Sequence, residues 1–214
     1  MAKVRFDISV SLDGFITGPN PRLEAPLGDG GMQLHDWAFR LATWRERHGL
    51  EGGELGADAD VVSELLASVG AFVMGRGMFG GGEGPWGDEP WEGWWGDEPP
   101  FHAPVFVLTH HAREPLVKQG GTTFSFVTDG IEAALEEAKA AASENDVSIA
   151  GGGDVVRQSL NAGLVDEFQI HLAPVVLGDG VRLLERLDPE RVRLERVRVI
   201  DSPTVTHLRY RVLS

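Results

Sequence analysis

The sequence predicts an α/β fold with a mixed, mostly parallel sheet that ends in antiparallel strands, and three observations lead to it. Short apolar runs alternate with helical patterns along most of the chain, whereas the C-terminal part carries strand patterns only. Two of the runs, Ala71-Phe72-Val73-Met74 and Val147-Ser148-Ile149-Ala150, show almost no polar alternation, as strands covered on both faces do. The second of them passes straight into a helical pattern through Gly151-Gly152-Gly153.

Lys3 to Ser11 reads as a strand because Val4, Phe6, Ile8 and Val10 alternate with Arg5, Asp7, Ser9 and Ser11. Leu12-Asp13-Gly14-Phe15-Ile16 turns through a glycine into a short apolar continuation, and Pro19 to Gly31 has the composition of a long irregular loop. Leu34, Trp37, Ala38, Leu41 and Trp44 recur at helical spacing, so Gln33 to His48 is predicted as one helix. Asp58 or Asp60 is placed to cap the next, with Val61, Val62, Leu65, Leu66 and Val69 as its apolar stripe up to Gly70. Val105 to Thr109 and Thr123 to Val127 are strands, and Asp129 is read as the cap of an Ala- and Glu-rich helix reaching Ala142. Val155 to Ala162 is the helix after the glycine run. Phe168 to Val176, Arg191 to Ile200 and Thr204 to Val212 follow as longer strands, the last two antiparallel across Ser202-Pro203.

The segment from Gly80 to Pro100 is dense in Gly, Pro, Trp and acid, and Trp-Gly-Asp-Glu-Pro occurs in it at Trp86 and again at Trp95. Its tryptophans suit anchors packed over a cofactor, into a partner subunit, or onto the loop's own surface. No linker divides the sequence, which is expected to form a single domain over residues 1–214 with this segment as an insertion.

Composition removes several function classes. There is no cysteine, which excludes disulfides, thiolate metal sites and cysteine nucleophiles together. Acidic residues outnumber Lys and Arg 33 to 19, for a net charge of -14, which argues against long nucleic acid as a partner because phosphate neutralisation needs clustered cations. No apolar run approaches the roughly 20 residues of a membrane span, and the first residues lead into a strand, so a cytoplasmic location and no membrane partner are expected.

Chemistry concentrates in two glycine turns. Around Gly151, Gly152 and Gly153 the backbone can approach a ligand closely, and the helix beginning there offers free amides and a partial positive charge, which suit a pyrophosphate. A tight connection between strand and helix is the plainer reading of the same residues. The pattern is neither Gly-x-Gly-x-x-Gly nor a P-loop. In Val73-Met74-Gly75-Arg76-Gly77 a second buried strand ends in a turn, with Arg76 at the carboxyl edge where open α/β sheets bind ligands and with a guanidinium suited to phosphate. A solvated surface arginine is the alternative there.

Four segments carry a family resemblance: Ser9-Val10-Ser11-Leu12-Asp13-Gly14-Phe15-Ile16, Met74-Gly75-Arg76, Val105-Phe106-Val107-Leu108-Thr109 and Gly151 to Gly153. Their order and spacing resemble the dihydrofolate-reductase-like superfamily. Asn161-Ala162-Gly163-Leu164-Val165-Asp166-Glu167 and Ala173-Pro174-Val175-Val176-Leu177-Gly178-Asp179-Gly180 bring the chain nearest to the reductase domain of bacterial riboflavin biosynthesis. The resemblance spans nearly the whole sequence and implies a three-layer α/β/α fold, a homodimer, and NADPH as hydride donor to a small heterocyclic or carbonyl substrate.

Carried over by position, it implies that Gly151, Gly152, Gly153, Asp154 and Val155 hold the pyrophosphate and that Gly75, Arg76 and Gly77 face the phosphates from the other side. Thr109 and His110 then lie near the adenosine and its 2′-phosphate, and Ser9 and Ile16 flank the nicotinamide. His110-His111 as a metal pair lacks a third ligand at suitable spacing, so no metal is expected. For the proton that accompanies hydride transfer the candidates are Asp36, on the first helix, and Asp13. Each has a structural alternative, Asp36 as a first-turn acid and Asp13 as an acceptor for backbone amides around the Gly14 turn. The other function classes consistent with the sequence are a dinucleotide-binding protein without catalysis and an interaction protein working through the Trp-rich segment.

Overall fold

A computed structural model describes residues 2–213. In chain order, β1 (Val4–Val10) and β2 (Phe15–Thr17) lead through a 3-10 turn at Gly31–His35 into α1 (Asp36–Phe39), α2 (Ala42–Arg47) and α3 (Ala57–Ala67). β3 (Val69–Gly75), α4 (Arg76–Phe79), β4 (Pro104–Leu108), β5 (Leu116–Val117) and β6 (Thr123–Val127) follow. The chain continues through α5 (Ile131–Ala142), β7 (Asp146–Gly151) and α6 (Gly153–Asn161) to β8 (Glu167–Leu172), β9 (Val181–Arg182), β10 (Arg193–Asp201) and β11 (Thr206–Leu213). The expected mixed α/β architecture is present, with nine strands in the order β10-β11-β8-β1-β7-β3-β4-β6-β5.

Two compact units share this chain, one of Met1–Phe6 with Ser68–Val165 and one of Asp7–Ala67 with Asp166–Ser214. In the first, β1, β7, β3, β4 and β6 pair in parallel, and β5 closes the edge antiparallel to β6. Helix α5 lies on β3, β4 and β7, and α6 lies on β7 and β3. That cover explains why β3 and β7 can be apolar nearly throughout. The second unit contains the antiparallel set β8, β11 and β10, the small β2–β9 pair, and α1 to α3.

The predicted helix from Gln33 to His48 is broken into a 3-10 turn and two short helices. Leu34, Trp37, Ala38 and Leu41 are buried as their spacing requires, but Leu41 is extended at φ -72 and ψ 140. A returning segment takes the backbone bonds there, since Ala42 N–H donates to Glu54 O and Glu54 N–H donates to Arg40 O. The approach is close enough that a Cβ on Gly53, at φ +126, would lie 2.6 Å from Ala42 N. The caps also differ. Asp58 sits inside the first turn of α3 with its carboxylate turned to Ser202, Thr204 and His207, and the residue preceding α5 is Gly130 rather than Asp129. β8 stops at Leu172 because Pro174 has no N–H for a ladder and Val175 N–H turns back to Ala173 O.

The Trp-rich segment is pinned to its own unit. Indole N–H groups of Trp86, Trp91 and Trp94 donate to the carbonyls of His111, Phe79 and Met78 at 2.8, 2.9 and 2.9 Å. Trp95 packs edge-on against Phe101 at 4.9 Å. Together with Phe79 and Phe124 these rings extend the apolar cluster of Phe72, Met74, Val105 and Val107. Phe79 is the hub: it is fully buried and meets Trp86, Phe124 and Phe126 edge-on at 5.8, 5.2 and 5.3 Å. Phe79→Ala is expected to cost about 3–5 kcal/mol in urea unfolding. A loss below about 1 kcal/mol would show that the segment is not anchored through this ring.

Candidate functional site

The register of the parallel strands brings the two glycine turns together. Met74 stands opposite Gly151, and Gly75 opposite Leu108, so β7, β3 and β4 end side by side. The turns touch: a Cβ on Gly75 would lie 2.9 Å from Val155 Cγ2, and one on Gly151, at φ +140, would lie 3.1 Å from Met78 Sδ. A Cβ on Gly152 or Gly77 would meet nothing within 4 Å, so both backbones face open space. Gly152 precedes α6, and Asp154 in its first turn is paired with the Arg157 guanidinium. That pairing offsets the one acid that would repel an anion at the helix start.

Arg76 begins α4 and is half-buried. Its guanidinium donates to Gly80 O and Gly81 O, each at 3.1 Å, and reaches Thr109 Oγ1 at 3.5 Å. The Trp86 ring lies 3.1 Å from its centre, and the Arg113 guanidinium lies 5.0 Å from the same ring. No carboxylate pairs with Arg76 among the described residues. Burial and then the like charge of Arg113 lower its pKa. Two adjacent guanidiniums in an acidic chain, one of them without a counterion, form a local cationic spot. His110, next to Thr109, is exposed. The first unit thus gathers Gly75, Arg76, Gly77, Thr109 and Gly151 to Val155 with Trp86 of the Trp-rich segment, and adds Arg113, which the sequence reading did not single out. Open glycine backbone, a helix start with its acid paired, and an arginine without a counterion suit the phosphates of a dinucleotide.

Ser9, Ile16, Asp13 and Asp36 belong to the second unit. Ser9 is buried, and its Oγ accepts the Trp37 indole N–H at 3.1 Å. Ile16 is buried within β2. Asp36 is exposed at the start of α1. Asp13 receives Ser11 Oγ at 2.6 Å, Leu177 N–H at 3.2 Å and Gly178 N–H at 2.7 Å, so its carboxylate ties the turn after β1 to the segment after β8. The Ser11 hydroxyl first, and the two amides after it, pull the Asp13 pKa from the usual 3.8 to about 2.

A second group of polar side chains had escaped the sequence reading. His171 and His207 are both buried, with Nδ1 atoms 2.7 Å apart, and His207 Nε2 lies 3.0 Å from Asp58 Oδ1. Beside them Arg209 donates to Gln169 Oε1 and pairs with Glu64, which also pairs with Arg198. The usable sequence signal was two histidines at inward positions of neighbouring strands, a pairing visible only once β8 and β11 are in register. Among the described residues no group of three or more His, Asp or Glu side chains is placed to hold a metal ion. No helix among them is long and apolar enough to cross a membrane.

The family model of the RibD C-terminal domain matches residues 2–207. The chain belongs to that family. No protein of curated function matches the sequence. Among solved structures, the RibD-family chain is similar to a Shewanella sp. PV-4 protein named for riboflavin biosynthesis, at 22% identity and TM-score 0.64, with 99% of each chain covered. It is also similar to the Thermotoga maritima diaminohydroxyphosphoribosylaminopyrimidine deaminase/5-amino-6-(5-phosphoribosylamino)uracil reductase, at 14% identity and TM-score 0.57. There 99% of this chain covers 57% of the longer one. Dihydrofolate reductase from Enterococcus faecalis, complexed with NADP(H) and RAB-propyl, matches at 14% identity and TM-score 0.52, with coverage of 99% and 97%. At these identities the likeness establishes the dihydrofolate-reductase-like fold.

The depressed pKa of Asp13 has a defined consequence for stability. Its folded value lies below the unfolded one, so its contribution is present above about pH 4 and is lost as the pH falls toward about 2. Asp13→Asn should lower the urea midpoint at neutral pH and flatten its dependence across that acid window. A wild-type dependence retained by the variant would assign the acid sensitivity to other carboxylates.

Proposed function

We propose that this RibD-family chain is an NADPH-dependent oxidoreductase that reduces a small heterocyclic or carbonyl compound. The observation that carries the reading is the meeting, in one unit, of an open glycine turn at the start of α6 with an arginine that has no counterion. Family membership and the reductases among its structural neighbours support the same class. Bound there, the cofactor would supply hydride chemistry. The residues of this chain would do the rest. Gly151 to Val155 would present backbone amides to the pyrophosphate, with Arg157 keeping the Asp154 charge occupied. Arg76 and Arg113 would neutralise further phosphate, and the exposed His110 would serve the adenosine side. In the second unit Ser9 and Ile16 are the proposed nicotinamide neighbours.

Neither acid proposed for the proton stands ready for it: Asp36 is exposed, and Asp13 already accepts three hydrogen bonds. We infer a homodimer from the family resemblance. The Trp-rich segment is committed to its own unit, whereas edge strand β10 exposes Leu194, Val197 and Val199 and is the better interface. A soluble protein that stays monomeric in sedimentation at micromolar concentration would contradict this.

Arg76 also holds the Gly80–Gly81 backbone and Trp86, so alanine there would loosen the segment as well as remove the charge. Arg76→Lys keeps the charge and loses the fork. It should weaken NADPH by about tenfold, the equivalent of roughly 1.4 kcal/mol, with a smaller drop in melting temperature than alanine gives. Quenching of tryptophan emission reads the affinity, and Trp86 is a built-in reporter. Equal affinities for NADPH and NADH in the wild type would remove the 2′-phosphate from the reading. A panel of pyrimidine, pterin and simple carbonyl compounds, followed by NADPH absorbance, tests turnover.

A further inference from the structure

The antiparallel sheet of the second unit is polar beneath its helices and apolar on the side away from them. Gln169 and His171 of β8, with His207 and Arg209 of β11, face α1 and α3: Trp37 meets both histidines, Asp58 bonds His207, and Glu64 pairs with Arg209. Strand alternation sends Phe168, Ile170 and Leu172 of β8 to the opposite face, together with their cross-strand neighbours Leu208 and Tyr210. On β10 that face continues, with Val199 opposite Leu208 and Leu194 opposite Val212. An antiparallel sheet with one wet side normally turns its polar residues to the water. Here the polar residues are the covered ones, and the apolar face ends in Leu194, Val197 and Val199 at 40%, 39% and 47% exposure.

The same face carries a ridge and a hollow. The ridge is the exposed apolar row of β10. The hollow lies two strands away, has a volume of about 130 Å³, and is lined by Val10 of β1, Gly14, Ile170 of β8 and the stretch Arg182-Leu183-Leu184. Its size is close to the roughly 150 Å³ that takes a benzene-sized apolar group, which suits one aliphatic side chain.

Edge-to-edge addition of another strand is poorly supported at β10. Five of its nine residues, Arg193, Glu195, Arg196, Arg198 and Asp201, are charged, and the ladder to β11 shifts register between Arg196 and Arg198, which leaves Val197 as the extra residue of a bulge. Charges and bulges on an outer strand are what keep it from pairing with another edge. Face-on packing uses the apolar row and leaves the edge alone.

Charge placement on the face is self-complementary. Asp201, Thr206 and Leu172 form one row across β10, β11 and β8, and Ala173 N–H, next in the chain, donates to Val10 O. The row thus runs from an acid at the end of the ridge to the hollow, whose lining includes the Arg182 guanidinium. An isologous contact sets each patch against its counterpart, so ridge meets hollow and acid meets arginine twice over.

We propose that a second copy of this chain covers this face. The two sheets pack about 10 Å apart around a two-fold axis along β11, so that Val199 of each copy enters the hollow of the other and Asp201 meets Arg182. The proposal rests on the homodimer reading above and gives that dimer its geometry.

The chain has no cysteine, so single introduced thiols report the contact without background. Val199→Cys and Leu184→Cys, both at exposed positions, are purified separately, mixed to exchange subunits, and treated with a short bis-maleimide. A cross-linked dimer is expected in the mixture and little from either variant alone. In sedimentation the wild-type chain should be dimeric at micromolar concentration, and Val199→Glu should raise its dissociation constant by roughly a hundredfold. Asp201→Arg should weaken the dimer by about tenfold, and adding Arg182→Glu to that variant should restore it. Val199→Cys cross-linking to itself and not to Leu184→Cys would overturn the packing in favour of β10 against β10 and leave the homodimer standing. A dimer indifferent to both Val199→Glu and Leu184→Glu would also overturn it, and the cysteine pair decides alone if the charged variants do not fold. A monomeric wild type would remove the homodimer reading and this geometry together, whereas cofactor binding and turnover decide the reductase reading separately.

Discussion

Everything in the candidate cofactor region depends on the parallel register that places Met74 against Gly151 and Gly75 against Leu108. Adjacent parallel strands end at one edge, and the turns that follow them are held a single strand spacing apart. A side chain at Gly75 would push into Val155 and separate the two turns. The glycines divide two needs between them, Gly75 and Gly151 serving the close packing of the turns and Gly77 and Gly152 leaving open backbone toward a ligand.

Electrostatics act locally on that frame. A chain of net charge -14 repels polyanions, yet Arg76 and Arg113 stand together on the faces of Trp86 and Phe126. Aromatic faces attract cations, by about 0.5–2 kcal/mol depending on desolvation, which helps hold two like charges near one another. The tryptophan segment therefore does more than cover apolar surface, because its carbonyls and rings orient the guanidiniums of the first unit. The exposed ion pairs of the second unit, such as Arg211 with Glu195, contribute little by comparison. Its file of Asp58 with the buried His207 and His171 is different, since the two imidazoles there depend on one another and on Asp58 for their hydrogen bonds.

Much of this was legible in residue patterns. The apolar strands β3 and β7, the amphipathic α5 and the glycine run each declared themselves through local composition. Where the reading failed, long-range bonds had replaced local ones. The helix expected from Gln33 to His48 had the right apolar spacing, but the backbone of Glu54 captured Arg40 and Ala42. Asp58 was expected as a cap, but it lies inside the first turn of α3, and histidine and hydroxyl partners far along the sequence claimed its carboxylate. Arg76 was recognisable as a strand-end arginine, whereas its stacking on Trp86 was not, because the spacing of two residues in a loop says nothing about their approach in space.

The sequence by itself determined the α/β class, the two glycine turns, the exclusion of cysteine chemistry and the resemblance to the riboflavin reductases, because each is written in neighbouring residues or in the order of short motifs. Tertiary structure alone decided that the turns lie side by side, that the tryptophan segment closes on its own unit, and that His171, His207 and Asp58 form one file. The physical reason is the same in all three. Strand register and hydrogen-bond competition are settled between segments distant in sequence, and a backbone or carboxylate goes to whichever partner the packed chain brings within reach.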